Sequence, residues 1–207
     1  MVKRTKKEAL QTKRALIDSA IRMFHKKGYN DTTLEDIASN AGLTRGALYW
    51  HFKGKAEIFR YIYEDLMKKL DKIMSRTIDH KNATLNSVAD YLKESFNMLK
   101  KDFNVMITLE LLILKTELAG ELKSVAERDK QYVCTQVDKI SSLIEKHIKV
   151  NNISSNLDSR EVALSIIIMH RGLALIYITN RHIIPHDESY IRIIDSFVQN
   201  LITQNNK

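Results

Sequence analysis

The chain of 207 residues contains only one proline, six glycines and one cysteine. Because proline and glycine most often interrupt helices and form turns, their scarcity favours long helices. Alternating apolar and polar runs with turn pairs between them are also missing, so we predict an all-α fold of about nine helices. The single Cys134 excludes a disulfide within the chain, which fits a reducing compartment.

The sequence also lacks the short motifs of common enzyme classes. It contains no Gly-x-Ser-x-Gly, no phosphate-binding glycine loop and no His-Glu-x-x-His. His182 and His186 are a weak pair that would need further ligands to hold a metal. The N-terminus has no apolar stretch of the signal-peptide kind. We therefore expect a cytoplasmic protein that is not an enzyme and uses no cofactor or metal.

Positive charge is concentrated near the N-terminus. Residues 1–60 contain 13 lysine and arginine residues and six acidic residues, a net charge of +7. Residues 61–207 contain 20 basic and 19 acidic residues, a net charge of +1. This asymmetry predicts that the N-terminal part binds a polyanion.

Two short helices joined by a glycine turn follow in this basic region. Residues 34–41 have an apolar stripe at helical spacing, formed by Leu34, Ile37, Ala38 and Ala41. Thr32 and Glu35 match a capping box at the start of this helix. Gly42 provides the backbone freedom that the turn requires. Such a pair of helices is typical of the helix-turn-helix, the DNA-binding unit.

The second helix, residues 44–52, has two kinds of side chain. Leu48 and Phe52 are spaced to anchor it in a core. Arg45 has the donors to bind a guanine edge, and Gly46 would allow the backbone to approach the bases. Tyr49, Trp50 and His51 offer donors that reach phosphate oxygens. The alternative is a packed helical hairpin with an aromatic surface.

Residues 33–38 and 41–55 together resemble the DNA-binding segment of the TetR family of transcriptional regulators. The match extends back through the first helix and forward to about Tyr63. The run Thr-Arg-Gly-Ala-Leu-Tyr-Trp-His-Phe-Lys, residues 44–53, is most similar to the AcrR-like regulators, which repress multidrug efflux pumps. The resemblance implies a three-helix DNA-binding domain and a larger helical domain for ligand binding and dimerisation. We place a basic arm at 1–9, the DNA-binding domain at 10–70 with its helix-turn-helix at 33–52, and the C-terminal domain at 71–207.

Lys55 lies in the first turn of the next helix, where a cation opposes the helix dipole. That position suits a lysine that shares a phosphate with the free amides, and the resemblance implies a contact with the DNA backbone. The predicted DNA-binding residues are Thr33, Thr44, Arg45, Gly46, Tyr49, Trp50, His51 and Lys55.

The middle helices, with walls that are mainly apolar and a few polar groups, predict a chamber for a small molecule. The expected ligand-binding residues are Leu66, Val88, Tyr91, Ser95, Leu109, Ile113, Ile167 and His170. Ordinary core positions are the alternative for each of them. Relatives in the efflux subgroup have polar residues at positions that Leu109 and Ile113 occupy here, which suggests a more apolar chamber.

The last two helices are apolar on more than one face. A membrane span is one interpretation of residues 158–180, but His170 and Arg171 would lie at its centre at a high energetic cost. We instead predict a dimer interface, a four-helix bundle that the resemblance also implies. Its expected residues are Ile168, Leu175, Tyr190, Ile194, Phe197 and Leu201.

These features together predict a dimeric transcriptional regulator whose partners are a double-stranded DNA operator, a small hydrophobic effector and a second copy of the chain, and not a membrane. We expect a repressor of an efflux pump operon, with its own gene as a further target, that the effector releases from a palindromic operator. The alternative is a TetR-type regulator of another pathway, or an activator, whose ligand is a fatty acid or another apolar metabolite. A DNA-binding protein without a ligand would not need the large apolar C-terminal domain.

Overall fold

The computed structural model of the chain describes residues 5–79, 81–115, 120–150, 158–184 and 188–203. Over these residues the chain forms nine α-helices and no strand, which confirms the predicted all-α class. The helices are α1 (Lys6–Asp31), α2 (Leu34–Asn40), α3 (Arg45–His51), α4 (Lys55–Thr77), α5 (Leu85–Lys101), α6 (Phe103–Glu110), α7 (Lys123–Val150), α8 (Ser159–Thr179) and α9 (Ser189–Thr203). A π-helical turn, Leu111–Lys115, extends α6, and short 3-10 turns lie at Gly120–Leu122 and Arg181–Ile183.

Helix α1 starts earlier than the sequence predicted. Thr5 caps it, because the Glu8 amide donates to Thr5 Oγ1 and the Thr5 amide donates to a Glu8 carboxylate oxygen at 2.8 Å. Residues 6–9 therefore belong to a helix, and the prediction that they form part of a basic arm is wrong. Gly28 lies at the predicted break, with a φ of 80° that interrupts the helical backbone.

The capping box of α2 lies one residue later than predicted. The Thr33 amide donates to Asp36 Oδ2 at 3.0 Å, and the Asp36 amide donates to Thr33 Oγ1 at 3.1 Å. Thr32 is buried instead, and its hydroxyl donates to the Gly28 carbonyl at 2.7 Å. Hydrogen bonds from Lys27 and from Thr33 lower the pKa of Asp36 to about 2. The assignment of the box to Thr32 and Glu35 is therefore wrong.

The first compact unit contains α1, α2, α3 and the start of α4, together with residues 102–126. Its core includes Phe24 and Phe59, whose ring centroids lie 6.0 Å apart. Two polar contacts join α1 to the later segment: His25 Nδ1 lies 2.9 Å from a Glu110 oxygen, and the Tyr29 hydroxyl donates to Glu121 at 2.5 Å. The domain boundary at residue 70 stays a prediction, since packing alone assigns residues 102–126 to this unit.

The second unit comprises residues 68–101 and 127–207, with α5, α8 and α9 in mutual contact. Phe96 on α5 stacks against Tyr190 on α9, with a centroid distance of 4.6 Å. Lys93 also pairs with Asp195 across these helices at 3.0 Å. By length and composition, α8 is the one helix among the described residues that could cross a membrane. A single such helix is weak grounds for a membrane span, because the core helix of a soluble protein passes the same test.

Candidate nucleic-acid interface and effector site

Helix α3 is held against the core of the first unit by one face. Thr44 caps it, because its hydroxyl oxygen accepts from the Ala47 amide at 3.2 Å. Leu48 and Phe52 are buried, as their spacing predicted. The opposite face is consequently presented to solvent at a fixed orientation.

The solvent-facing side of α3 displays large aromatic side chains. Trp50 is 73% exposed and Tyr49 is 46% exposed. The Trp50 ring lies edge to face with the ring of the half-buried His51, at a centroid distance of 4.5 Å. Clustered exposed aromatics on a rigid element mark an interaction surface rather than a folding requirement.

Gly46 lies in the first turn of α3, where its own fold does not require a glycine. Its φ lies outside the left-handed region, and a Cβ built on it would meet only Thr44 Oγ1, at 3.9 Å. A glycine in a helix is less favourable than alanine. We infer that Gly46 keeps the surface flat for something that approaches the helix from outside.

Arg45 is fixed by two neighbours on the same surface. It forms an ion pair with Glu35 of α2 and donates to the Tyr49 hydroxyl at 3.2 Å. The hydrogen bond with Tyr49 and the charge of Glu35 raise the pKa of Arg45, so its charge is permanent. Sequence reasoning identified Arg45 and Tyr49 but assigned Glu35 only to a cap.

The two predicted threonines have roles in the free chain. Thr33 caps α2 and its hydroxyl donates to Asp36 at 2.9 Å, and Thr44 caps α3. Both residues are exposed, so a further contact with DNA stays a prediction for each.

Lys55 is engaged differently from the prediction. Its ammonium donates to the carbonyls of Tyr29, Asn30 and Thr32 at 2.9, 2.8 and 3.3 Å. It also lies 4.6 Å from the centre of the Tyr29 ring. A lysine ammonium has three hydrogen-bond donors, and the three carbonyls are enough to accept from all of them in the free chain. A contact with phosphate stays a prediction, and the structure adds a role in joining α4 to the end of α1.

Five of the predicted effector residues belong to the second unit. Val88, Tyr91, Ser95 and Ile167 are buried, and His170 is partly buried. The Tyr91 hydroxyl accepts from Gln136 Nε2 at 2.5 Å and lies 3.1 Å from the Tyr132 hydroxyl.

Gln136 and Tyr132 were not predicted. They are four residues apart on one face of α7, and that spacing, with a tyrosine beside a glutamine, is the signal that would have found them.

Ser95 and His170 form a second polar contact in this unit. His170 Nε2 lies 3.1 Å from Ser95 Oγ and 3.2 Å from the Leu92 carbonyl oxygen. Because a carbonyl only accepts, Nε2 carries the proton. Desolvation lowers the pKa of His170 from 6.5 to about 4, so the ring is neutral at pH 7.

The other three predicted effector residues belong to the first unit. Leu66 is buried and Leu109 is partly buried. Ile113 lies on the π-helical turn and is 42% exposed. One chamber that contains all eight residues stays a prediction.

The predicted dimer residues divide into two groups. Ile168 is 62% exposed, and Leu175 is exposed on the same helix. Tyr190 and Ile194 are buried within the protomer, where the Tyr190 ring packs against Phe96 of α5, and their place at an interface stays a prediction.

The remaining two predicted dimer residues give little further information about an interface. Phe197 is half-buried, and the side chain of Leu201 lies outside the described part of the chain. Sequence reasoning missed the exposed apolar residues Leu164, Ile176 and Ile193.

The chain is similar to known bacterial regulatory proteins. The profile of the tetR family of bacterial regulatory proteins matches residues 16–62. The HTH-type transcriptional regulator TtgR of Pseudomonas putida is 30% identical over 174 residues, which cover 84% of this chain and 83% of that protein. The regulator AcrR of Shigella flexneri is 27% identical over 165 residues, 79% of this chain and 77% of that protein.

A solved structure shares the fold. SmeT bound to triclosan superimposes with a TM-score of 0.75 at 22% identity, covering 91% of this chain and 90% of that one. SmeT is described as the repressor of the Stenotrophomonas maltophilia multidrug efflux pump SmeDEF.

Gly46→Ala separates folding from binding. An added methyl group meets no close neighbour, so we expect unchanged or slightly higher stability, by up to about 1 kcal/mol in urea unfolding. If α3 faces DNA, the same methyl group lies at the interface, so affinity for a duplex that the wild type protects in footprinting should fall about tenfold in a fluorescence-anisotropy titration. Unchanged affinity would show that DNA does not approach α3 at this point.

Lys55→Met keeps an apolar stem of similar length but leaves three carbonyls without the ammonium. We expect the free energy of unfolding to fall by about 1–3 kcal/mol. Lys53→Met is the matched control, because Lys53 is exposed and two residues away. Equal unfolding curves for the two variants would contradict the structural role. For DNA binding by Lys55→Met, a decrease of about 0.9 in the magnitude of the slope of log K against log salt concentration would show that Lys55 also contacts a phosphate.

His170→Gln tests the neutral histidine. The folded chain binds this proton less readily than the unfolded chain, so the wild type should lose stability as the pH falls from about 6.5 to 4. Because only one proton is involved, the free energy of unfolding should fall by at most about 1.4 kcal/mol per pH unit. The variant should lack this component when urea unfolding is measured across the range. Parallel pH profiles for both proteins would mean that His170 titrates normally.

Proposed function

The chain belongs to the TetR family of bacterial regulatory proteins, and we propose that it binds double-stranded DNA through α3 and represses transcription. The observation that supports this most strongly is the helix itself. Leu48 and Phe52 bury one face of α3, while Arg45, Tyr49 and Trp50 stand exposed on the other. The surrounding excess of basic residues favours a polyanion as the partner.

A homodimer provides the second DNA-binding helix-turn-helix, here called the reader, that a palindromic operator needs. Two recognition helices on one face of a duplex must lie about 34–36 Å apart to enter successive major grooves. Helix α8 carries an exposed apolar stripe at helical spacing that a second copy would cover: Leu164, Ile168, Leu175 and Ile176. Arg171, beside this stripe, pairs with Asp129 at 3.3 Å. A charged pair suits a protein surface in water better than lipid, which favours a cytoplasmic dimer over a membrane span.

The effector is a neutral, largely apolar small molecule. The polar groups at the predicted site are the hydroxyl and amide groups of the buried residues Tyr91, Ser95 and Gln136 and the neutral imidazole of the partly buried His170. A buried charge on the ligand would meet no opposite charge among these groups and would be costly. The description of SmeT as an efflux repressor, and its complex with triclosan, favour an efflux pump operon as the target.

Release from DNA follows from differential affinity. An effector dissociates the complex only if it binds the DNA-free form more tightly, and DNA must then weaken effector binding by the same factor. Helices α4 and α7 each contribute residues to both compact units, and we propose α4, which directly follows α3, as the covalent connection through which effector binding would influence the DNA-binding helix.

The function is tested by footprinting the full-length chain on DNA upstream of its own gene and of neighbouring transporter genes. We expect one protected palindrome, and we expect triclosan or another hydrophobic biocide to lower affinity for it in a titration. Binding that ignores sequence would contradict a specific repressor. Release should be accompanied by weaker binding of the same compound to the DNA complex than to the free protein.

Ile168→Glu tests the dimer stripe. A carboxylate placed in an apolar interface without a partner is unfavourable, so sedimentation should show monomers and affinity for the protected duplex should fall at least tenfold. Leu10→Glu is the matched control, because Leu10 is also an exposed apolar residue, on α1. It should remain dimeric. An Ile168→Glu protein that sediments as a dimer would place the interface elsewhere.

A further inference from the structure

We propose that Glu35 is a positioning residue that sets the sequence specificity of Arg45. This inference rests on the proposed DNA-binding function and adds a residue to it. Glu35 is on α2 and Arg45 is on α3, and their side chains form an ion pair on the exposed surface of the reader. Arg45 also donates to the Tyr49 hydroxyl, so two partners restrain one guanidinium.

Glu35 differs from the acidic residue beside it. Asp36 completes the cap of α2 with Thr33 and pairs with Lys27 at 2.7 Å, so its charge is used within the fold. Glu35 is exposed and its ion-pair partner is Arg45 on α3. An exposed ion pair contributes little to stability. Glu35 also lies in the first turn of α2, where a negative charge interacts favourably with the helix dipole. Folding thus accounts for a carboxylate at position 35 but not for its pairing with Arg45 on α3.

A carboxylate on a surface that approaches DNA repels the phosphates, so Glu35 lowers the affinity for every duplex. A compensating gain comes from geometry. The guanidinium is a rigid planar fork, and its partners Glu35 and Tyr49 hold that plane before DNA arrives. The N–H groups that remain are then aimed at the O6 and N7 acceptors of one guanine.

The gain is selective because the carboxylate only accepts hydrogen bonds. Where Arg45 meets a guanine edge, its bidentate bonds offset the repulsion from Glu35. Where the base is wrong, Arg45 is held in the same orientation by Glu35 but makes no bond to the base, so no contact compensates for the repulsion between Glu35 and the phosphates. Glu35 thus raises the ratio of specific to nonspecific affinity by lowering the nonspecific one.

The test compares two duplexes, the segment that the wild type protects and a scrambled version of the same composition. Glu35→Gln keeps the size of the side chain but removes its charge. We expect affinity for the scrambled duplex to rise about three- to tenfold and affinity for the protected duplex to change less, so their ratio falls. Asp31→Asn is the matched control. It removes the same charge from another exposed acid of this unit, and should shift both affinities equally.

A double-variant cycle shows whether Glu35 acts through Arg45. In the Arg45→Ala background, Glu35→Gln should leave the ratio of the two affinities unchanged. A loss of ratio that persists there would overturn the inference, because Glu35 would then read a base itself. An equal rise for both duplexes in the single variant would also overturn it, since the residue would only repel DNA.

The inference and the proposed function fail in different ways. If the wild type does not distinguish the two duplexes, both are wrong. If the wild type distinguishes them and Glu35→Gln keeps the full ratio, only the role of Glu35 is wrong.

Discussion

The ammonium of Lys55 is the contact on which the geometry of the reader depends. It binds the carbonyls of Tyr29, Asn30 and Thr32, where α1 ends and the chain turns towards α2. A cation at the C-terminal end of a helix interacts favourably with its dipole, and the contact fixes the start of α4 to the same place. The Tyr29 ring packs on Phe24 and Phe59, and its hydroxyl bonds to Glu121. One buried aromatic group and one lysine thus join the end of α1 to the start of α4, the helix that follows α3 in the chain.

Local features of the sequence predicted the fold well because local physics decides them. Leu48 and Phe52 are four residues apart and therefore lie on the same face of the short helix, and this apolar face packs against the core. The break at Gly28 follows from a backbone that only glycine adopts readily. The cap of α2 was misplaced because Thr32 with Glu35 and Thr33 with Asp36 have the same spacing and similar chemistry. Tertiary burial of Thr32 is what decides between them.

Contacts between distant residues were harder to predict. Helix α9 has two apolar faces, and periodicity does not show which one packs inside the protomer. Phe96 of α5 packs against Tyr190, so the face of α9 that carries Tyr190 is the one buried within the protomer. The first-turn position of Lys55 suggested a contact with phosphate. Its hydrogen bonds to three carbonyls were not predicted, because those carbonyls belong to residues 23 to 26 positions away in the sequence. The sequence predicted a capping role for Glu35 and not its ion pair with Arg45, because that partner lies on another helix.

A specific dimeric reader requires that α3 faces DNA and that two copies act together. Selection of duplexes from a random library by the full-length wild-type chain tests both requirements at once. We expect the enriched duplexes to share two inverted copies of one half-site, with centres about 34–36 Å apart along the helix axis. An enriched pool with no common sequence, or with one unpaired half-site, would contradict a dimeric DNA reader.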